Sequence, residues 1–118
     1  MKKVLLCEPN ISEGRDLEVV EQVFDQIRQV EGVKILDSSS DTDHNRSVFT
    51  YLGEPEPVLA ATMCMAAKAI EIIDMTRHQG SHPRMGAVDV VPFIPVRGIE
   101  TKEAVEFARR FGKFVGGL

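Results

Sequence analysis

The chain has 118 residues, of which 43% are hydrophobic and 27% charged, and its net charge is -4 at neutral pH. This length fits one small domain, and the acidic balance argues against non-specific nucleic-acid binding, which needs a basic face. No apolar run approaches the roughly 20 residues that a membrane helix needs, and no signal peptide is recognisable. The two cysteines, Cys7 and Cys64, do not suggest a secreted disulfide framework. We therefore predict a cytoplasmic protein with a single domain, residues 1–118.

The N-terminal part of the chain predicts two strands that flank one helix. Lys3 to Cys7 is a short apolar run, typical of a strand, and a polar loop follows it. Asp16 is a suitable helix N-cap, and apolar residues then recur at helical spacing: Val19, Val20, Val23, Phe24, Ile27 and Val30. Gly32 ends this helix, and Val33 to Asp37 predict the second strand.

The remaining chain predicts two more strands and two more helices. Ser38 to Asn45 reads as a polar loop, and the alternating segment Ser47 to Leu52 as the third strand. Val58 to Ile73 predicts the second helix, in which Cys64 is expected to be buried. Ala87 to Val96 predicts a fourth strand, whose two prolines favour an edge position. Thr101 is the expected N-cap of a third helix.

This element order predicts an α+β fold, a ferredoxin-like split β-α-β-β-α-β antiparallel sheet with an additional C-terminal helix. In that topology the three long polar loops share one edge of the sheet, where binding and catalytic residues are often found. We therefore expect three groups of side chains to converge there. They are Asn10, Ser12 and Arg15; His44, Asn45 and Arg46; and His78, His82 and Arg84.

The segment "RHQGSHPRMGAVD" carries two of the three histidines of the chain. His82 could be a general base because histidine titrates near neutrality, or a loop histidine that only bonds a backbone carbonyl. A metal site of His44, His78 and His82 is a weaker alternative, since no H-E-x-x-H pattern occurs. Gly86 permits close backbone approach or a positive φ.

Four arginines lie in or beside these loops of an acidic chain: Arg15, Arg46, Arg77 and Arg84. Arginine can clamp a carboxylate or phosphate with two parallel hydrogen bonds. The alternative is surface ion pairing with neighbouring aspartates, which contributes little. Asp37, at the predicted end of the second strand, could orient a histidine or a cationic substrate group, or simply start the turn.

Three stretches, "CEPNISEGRD", "DHNRSVFTYLG" and "IDMTRHQGSHPRMGAVDVVPFIPVRG", carry a family resemblance. Together they resemble the N-terminal subdomain of glutamate formimidoyltransferase, the formiminotransferase half of formiminotransferase-cyclodeaminase. The resemblance runs from about residue 3 to residue 112, and its H-P-R-M-G-A-x-D-x-x-P-F-I-P run is long and specific. It implies a ferredoxin-like subdomain. It also implies transfer of a formimidoyl group from N-formimidoyl-L-glutamate to N5 of tetrahydrofolate, a reaction of histidine degradation and one-carbon metabolism.

The resemblance assigns His82 as the catalytic base that takes the proton from the folate nitrogen. It places the loop Pro9 to Gly14 in the same cleft. The resemblance and the predicted topology together indicate a set of candidate substrate- and folate-binding residues. These are Asn10, Ser12, Arg15, Asp37, His44, Asn45, Arg46, His78, Arg84 and Gly86. Tetrahydrofolate is the implied co-substrate, with no metal, no nucleic acid and no membrane partner.

The sequence departs from the family pattern in two residues and in length. Ser39 and Ser81 stand where members often carry Asp and Glu. In the family the transferase region continues into a second, similar subdomain, and the folate cleft lies between the two. A transferase that needs a partner half or a homo-oligomer is therefore expected, and a non-catalytic folate-binding or regulatory module is the alternative. An RNA-binding sheet is disfavoured, because the first strand has no aromatic residue.

Overall fold

A computed structural model describes residues 2–73 and 87–118 of the chain. In these ranges it has an antiparallel sheet and three helices, which confirms the predicted α+β fold with a C-terminal helix. The elements in chain order are β1 (Val4–Cys7), β2 (Asn10–Ile11), α1 (Leu17–Arg28), β3 (Val33–Asp41), β4 (Arg46–Gly53), α2 (Pro55–Ile72), β5 (Phe93–Arg97) and α3 (Thr101–Gly116).

The long strand β4 organises the sheet. It pairs along one edge with β3 and along the other with β1 and then β2, so that Leu5 lies opposite Gly53 and Asn10 opposite Val48. β1 pairs on its far side with β5. The resulting spatial order is β3, β4, β1 with β2, and β5, which is the order of a split β-α-β-β-α-β sheet.

The helices cover one face of this sheet and form the core with it. Phe24 of α1 stacks on Phe49 of β4 with ring centroids 4.8 Å apart. The rings of Phe93 of β5 and Phe111 of α3 are tilted against each other, with their centroids 5.8 Å apart. α2 lies between α1 and α3 and is therefore buried on several sides rather than along one stripe. The opposite face is open in the described part of the chain, where Ile94 is 43% exposed.

Two helix starts illustrate how local residues set the elements. Asp16 caps α1 as predicted, since its side chain accepts hydrogen bonds from the N–H groups of Glu18 and Val19. The prediction that Thr101 caps α3 was wrong. Glu100 is the N-cap, and the Glu103 side chain accepts from its N–H at 3.4 Å, half of a capping box.

Several predicted boundaries were also wrong. The second predicted strand, β3, continues to Asp41 instead of Asp37, because its polar end pairs with β4. The fourth predicted strand, β5, begins at Phe93 rather than Ala87, and before it only Val88 makes an isolated bridge, to Ile11. The short strand β2 was not predicted, α2 begins three residues early at Pro55, and Cys64 is exposed instead of buried.

Within residues 2–73 and 87–118, no helix is long and apolar enough to cross a membrane.

Candidate functional site

The loop after β1 and the turn between β3 and β4 meet at one edge of the sheet. The hydroxyl of Ser47 donates to the carbonyl of Glu13 at 2.6 Å, and the N–H of Gly14 donates to Oδ1 of Asn45 at 2.9 Å. Asn45 has a φ of 52°, a left-handed conformation that asparagine tolerates better than most residues. These contacts bring together the first two predicted groups of side chains.

The third connection returns to the same edge. The N–H of Ser12 donates to the carbonyl of Ala87 at 3.0 Å. The N–H of Asn10 donates to the carbonyl of Val90 at 2.8 Å, and the carbonyl of Asn10 accepts from the N–H of Asp89 at 2.9 Å. Residues 87–90 therefore lie alongside β2, next to the other two loops. His78, His82, Arg84 and Gly86 lie outside the described residues.

An open cleft of about 440 Å³ lies on the helix-free face at this edge. Its floor is made by strand neighbours that share a face: Asn10 is opposite Val48, Val48 is opposite Ser39, and Asp41 is opposite Arg46. The residues that line it are Asn10, Ser39, Ser40, Asp41, His44, Arg46 and Val48. Three predicted site residues, Asn10, His44 and Arg46, thus share one cavity.

His44 and Asp41 form an oriented pair at the rim. Nδ1 of His44 lies 2.7 Å from Oδ2 of Asp41, while Oδ1 of Asp41 accepts from the backbone N–H groups of Asp43 and His44 at 2.9 and 3.2 Å. The hydrogen bond from the His44 side chain is the main reason that the pKa of Asp41 is lowered. Because Nδ1 is engaged, the pair leaves Nε2 of the imidazole facing away from Asp41.

Two arginines at this edge have different roles. Arg15 donates from Nε to the carbonyl of Thr42 at 2.8 Å and from Nη2 to that of Asp43 at 3.4 Å, so it holds the β3–β4 turn. Arg46 lines the cleft, and its Nη2 lies 2.6 Å from Oδ2 of Asp89. The expected ion pairing is thus present, but its partner is Asp89.

Other predicted site residues have backbone or strand positions. Ser12 and Asn45 take part in the hydrogen bonds that join the loops. Asp37 lies within β3, opposite Thr50, rather than at the strand end. Among the described residues, no group of three or more His, Cys, Asp or Glu side chains could hold a metal ion. The alternative metal site of His44, His78 and His82 depends on two residues outside them.

Sequence reasoning missed Asp41 and Asp89 as site residues. Asp41 had no signal in the sequence, because serine and aspartate have low strand propensity and only pairing with β4 makes this end of β3 extended. Asp89 belongs to the histidine-bearing segment singled out above, but only its contact with Arg46 distinguishes it. Gly14 ends the loop that the resemblance placed in the cleft, but its close approach to the backbone of Arg46 and Asp41 was not predicted.

The fold and the cleft define an α+β domain with a polar site at one edge of an antiparallel sheet. The family described as "Formiminotransferase domain, N-terminal subdomain" matches residues 4–117, so the chain belongs to this family.

Named relatives agree with this membership. The chain is 44% identical over 113 residues to the formimidoyltransferase-cyclodeaminase of Sus scrofa, covering 96% of this chain and 21% of the relative. It is 44% identical over 110 residues to the glutamate formimidoyltransferase of Streptococcus pyogenes serotype M1, covering 93% of this chain and 37% of the relative. It is 46% identical over 110 residues to the glutamate formimidoyltransferase of Thermoplasma acidophilum, covering 93% of this chain and 36% of the relative. The chain thus spans well under half of each relative.

Proposed function

We propose that this chain provides the N-terminal half of a formimidoyltransferase site. The reaction is transfer of the formimidoyl group of N-formimidoyl-L-glutamate to N5 of tetrahydrofolate, which acts as co-substrate. One observation carries the proposal. The loop Pro9 to Gly14, the β3–β4 turn and residues 87–90, all within the stretches that resemble the family, meet at one edge of the sheet.

In this reaction His82 is the general base. N5 of the folate forms a bond to the amidine carbon while its proton passes to the His82 imidazole. The tetrahedral intermediate then breaks the bond between that carbon and the glutamate nitrogen, which leaves with a proton as glutamate. Histidine suits this role because it exchanges a proton near neutral pH. The segment that carries His82 joins the described chain again at Ala87, beside Ser12.

The cleft side chains bind the substrates in this proposal. Asn10, His44 and Arg46 supply hydrogen bonds and charge inside the cavity, and Asp37 lies further along the same sheet face. Ser12, Arg15 and Asn45 hold the loops, which positions the cleft. His78, Arg84 and Gly86 complete the proposed set from the histidine-bearing segment, and no metal takes part.

The proposed site needs a second half. The named relatives are much longer than this chain, and the open sheet face beside the cleft offers a place for another domain. We propose that this half is a C-terminal subdomain or a second copy of the chain, in the cytoplasm. Sedimentation at micromolar concentration tests the second-copy form, and a monomer would contradict it.

The direct test is an assay of the purified chain with N-formimidoyl-L-glutamate and tetrahydrofolate, following glutamate release. Turnover that depends on both substrates supports the proposal. A second candidate function, a non-catalytic folate-binding module, is favoured by Ser39, which lines the cleft where the family often carries a carboxylate. Micromolar binding of 5-formyltetrahydrofolate without any turnover would favour that second function.

A further inference from the structure

We infer that Arg46 is the carboxylate-binding group of the cleft and that Asp89 is the residue that positions it. This inference rests on the proposed function, because it states which arginine meets a carboxylate of the glutamyl substrate. The ligand class is a small dicarboxylate. The observations that carry it are the cleft, the Arg46–Asp89 contact and the different engagement of Arg15.

The geometry separates the two described arginines at this edge. The Arg15 guanidinium donates from Nε and Nη2 to the Thr42 and Asp43 carbonyls, and Arg15 is not among the described residues that line the cleft. The Arg46 side chain is 50% exposed and lines the cavity, and its contact to Asp89 uses the single nitrogen Nη2. A guanidinium has five N–H donors, so the remaining ones can form the paired hydrogen bonds that a carboxylate accepts.

Asp89 is itself fixed by the backbone. Its N–H donates to the carbonyl of Asn10 at 2.9 Å, and the N–H of Asn10 donates to Val90 at 2.8 Å. The Asp89 carboxylate therefore extends from a hydrogen-bonded, strand-like backbone, and its Oδ2 lies 2.6 Å from Nη2 of Arg46. A long, exposed arginine has many rotamers. Its contact with Asp89 restricts them in advance, so less side-chain conformational entropy is lost when a ligand binds.

The carboxylate on the strand opposite Arg46 does not take over this role. Asp41 is the strand partner of Arg46, but both of its oxygens are engaged, by the His44 ring and by two backbone N–H groups. The cavity of about 440 Å³ is large enough for a glutamate-sized ligand. Arg46 is therefore the cationic group available inside the described part of the cleft.

The test measures binding of N-formyl-L-glutamate to the 118-residue chain by calorimetric titration, with its dimethyl ester as the probe without carboxylates. Arg46→Gln should weaken binding of the diacid at least about tenfold, and Asp89→Asn should weaken it about 3- to 10-fold, the range of a typical hydrogen bond. Asp89→Glu should restore binding to within about twofold of the parent. Arg109→Gln, on the outer surface of α3, is the matched control with unchanged affinity.

The outcomes separate the inference from the proposed function. Unchanged or tighter binding in Asp89→Asn, equal binding of the ester, or no binding by the parent at millimolar diacid would overturn the inference. Thermal melts of each variant identify loss of folding, and Asp89→Glu keeps the test decisive if Asp89→Asn is unstable. Arg46-dependent binding by the chain would support the inference whether or not it turns over substrate, whereas absence of formimidoyl transfer with the second half present would count against the transferase alone.

Discussion

Gly14 lies in contact with the backbone of Arg46, and no side chain fits between them. A Cβ atom built on Gly14 would lie 2.6 Å from the amide nitrogen of Arg46 and 2.6 Å from the carbonyl oxygen of Asp41. The N–H of Gly14 also donates to Asn45. The loop after β1 can therefore lie against the β3–β4 turn only with glycine at this position, and the cleft depends on that approach.

Gly14→Ala should destabilise the protein. The added methyl group meets backbone atoms that cannot rotate away, so we expect the free energy of unfolding to fall by about 1–3 kcal/mol, as for overpacked sites. Urea titration followed by circular dichroism measures this change. Gly112→Ala is the control, because a Cβ on Gly112 meets nothing within 4 Å and alanine favours the helix α3. Equal stability of Gly14→Ala and the parent would contradict the steric argument.

His82→Ala should remove the transferase activity without unfolding the chain. A positioned general base contributes about 10²–10⁴-fold to a rate, and we expect a loss of that size in glutamate release. Arg109→Gln is a surface control, since Arg109 pairs only with Glu106 of the same helix turn among the contacts described. An activity of His82→Ala within a few-fold of the parent would exclude His82 as the base.

The fold could be predicted from the sequence where hydrophobic periodicity was clear. β4 alternates buried Ser47, Phe49 and Tyr51 with half-buried neighbours, and α1 buries the predicted residues Val20, Val23, Phe24 and Ile27. The end of β3 could not be predicted, because serine and aspartate have low strand propensity and only pairing with β4 makes Ser38 to Asp41 extended. Tertiary pairing outweighed local preference there.

The candidate site was predicted as a location but not as a set of contacts. The topology alone brought Asn10, His44 and Arg46 to one edge, and in the structure these three residues line one cleft. The pairing of Arg46 with Asp89 has no signature in the sequence, because the two residues are far apart in the chain. Which arginine holds the turn and which lines the cavity follows only from hydrogen-bond geometry.

The two cysteines should differ sharply in reactivity. Burial raises the pKa of the Cys7 thiol to about 11, so almost no thiolate forms near neutral pH, whereas Cys64 is exposed on α2. Iodoacetamide at neutral pH should label one cysteine in the folded chain and both in denaturant, counted by mass spectrometry. Cys64→Ser should abolish labelling of the folded chain. Rapid labelling of Cys7 in that folded variant would contradict its burial.

The Asp41–His44 pair should make a pH-dependent contribution to stability. Its hydrogen bonds hold the pKa of Asp41 below the ordinary value of 3.8, so folding favours the charged carboxylate. That contribution is fully present above 3.8 and is lost as the pH falls through the lower value of the folded state. The parent should therefore exceed Asp41→Asn in stability at neutral pH, and the difference should shrink in acid.

Urea midpoints of the parent and Asp41→Asn measure this difference from about pH 7 to about pH 2, across the range in which carboxylates titrate. Titrating groups that do not contact Asp41 cancel, since both chains share them. Glu106→Gln is the matched control, because Glu106 is also an exposed carboxylate whose pKa is lowered, in this case by Arg109 on α3, away from the cleft. Glu106→Gln should change the free energy of unfolding by the same amount in the parent and in Asp41→Asn, since distant sites contribute independently. A difference between parent and Asp41→Asn that is the same at every pH would show that Asp41 acts through its shape and backbone hydrogen bonds rather than through its charge.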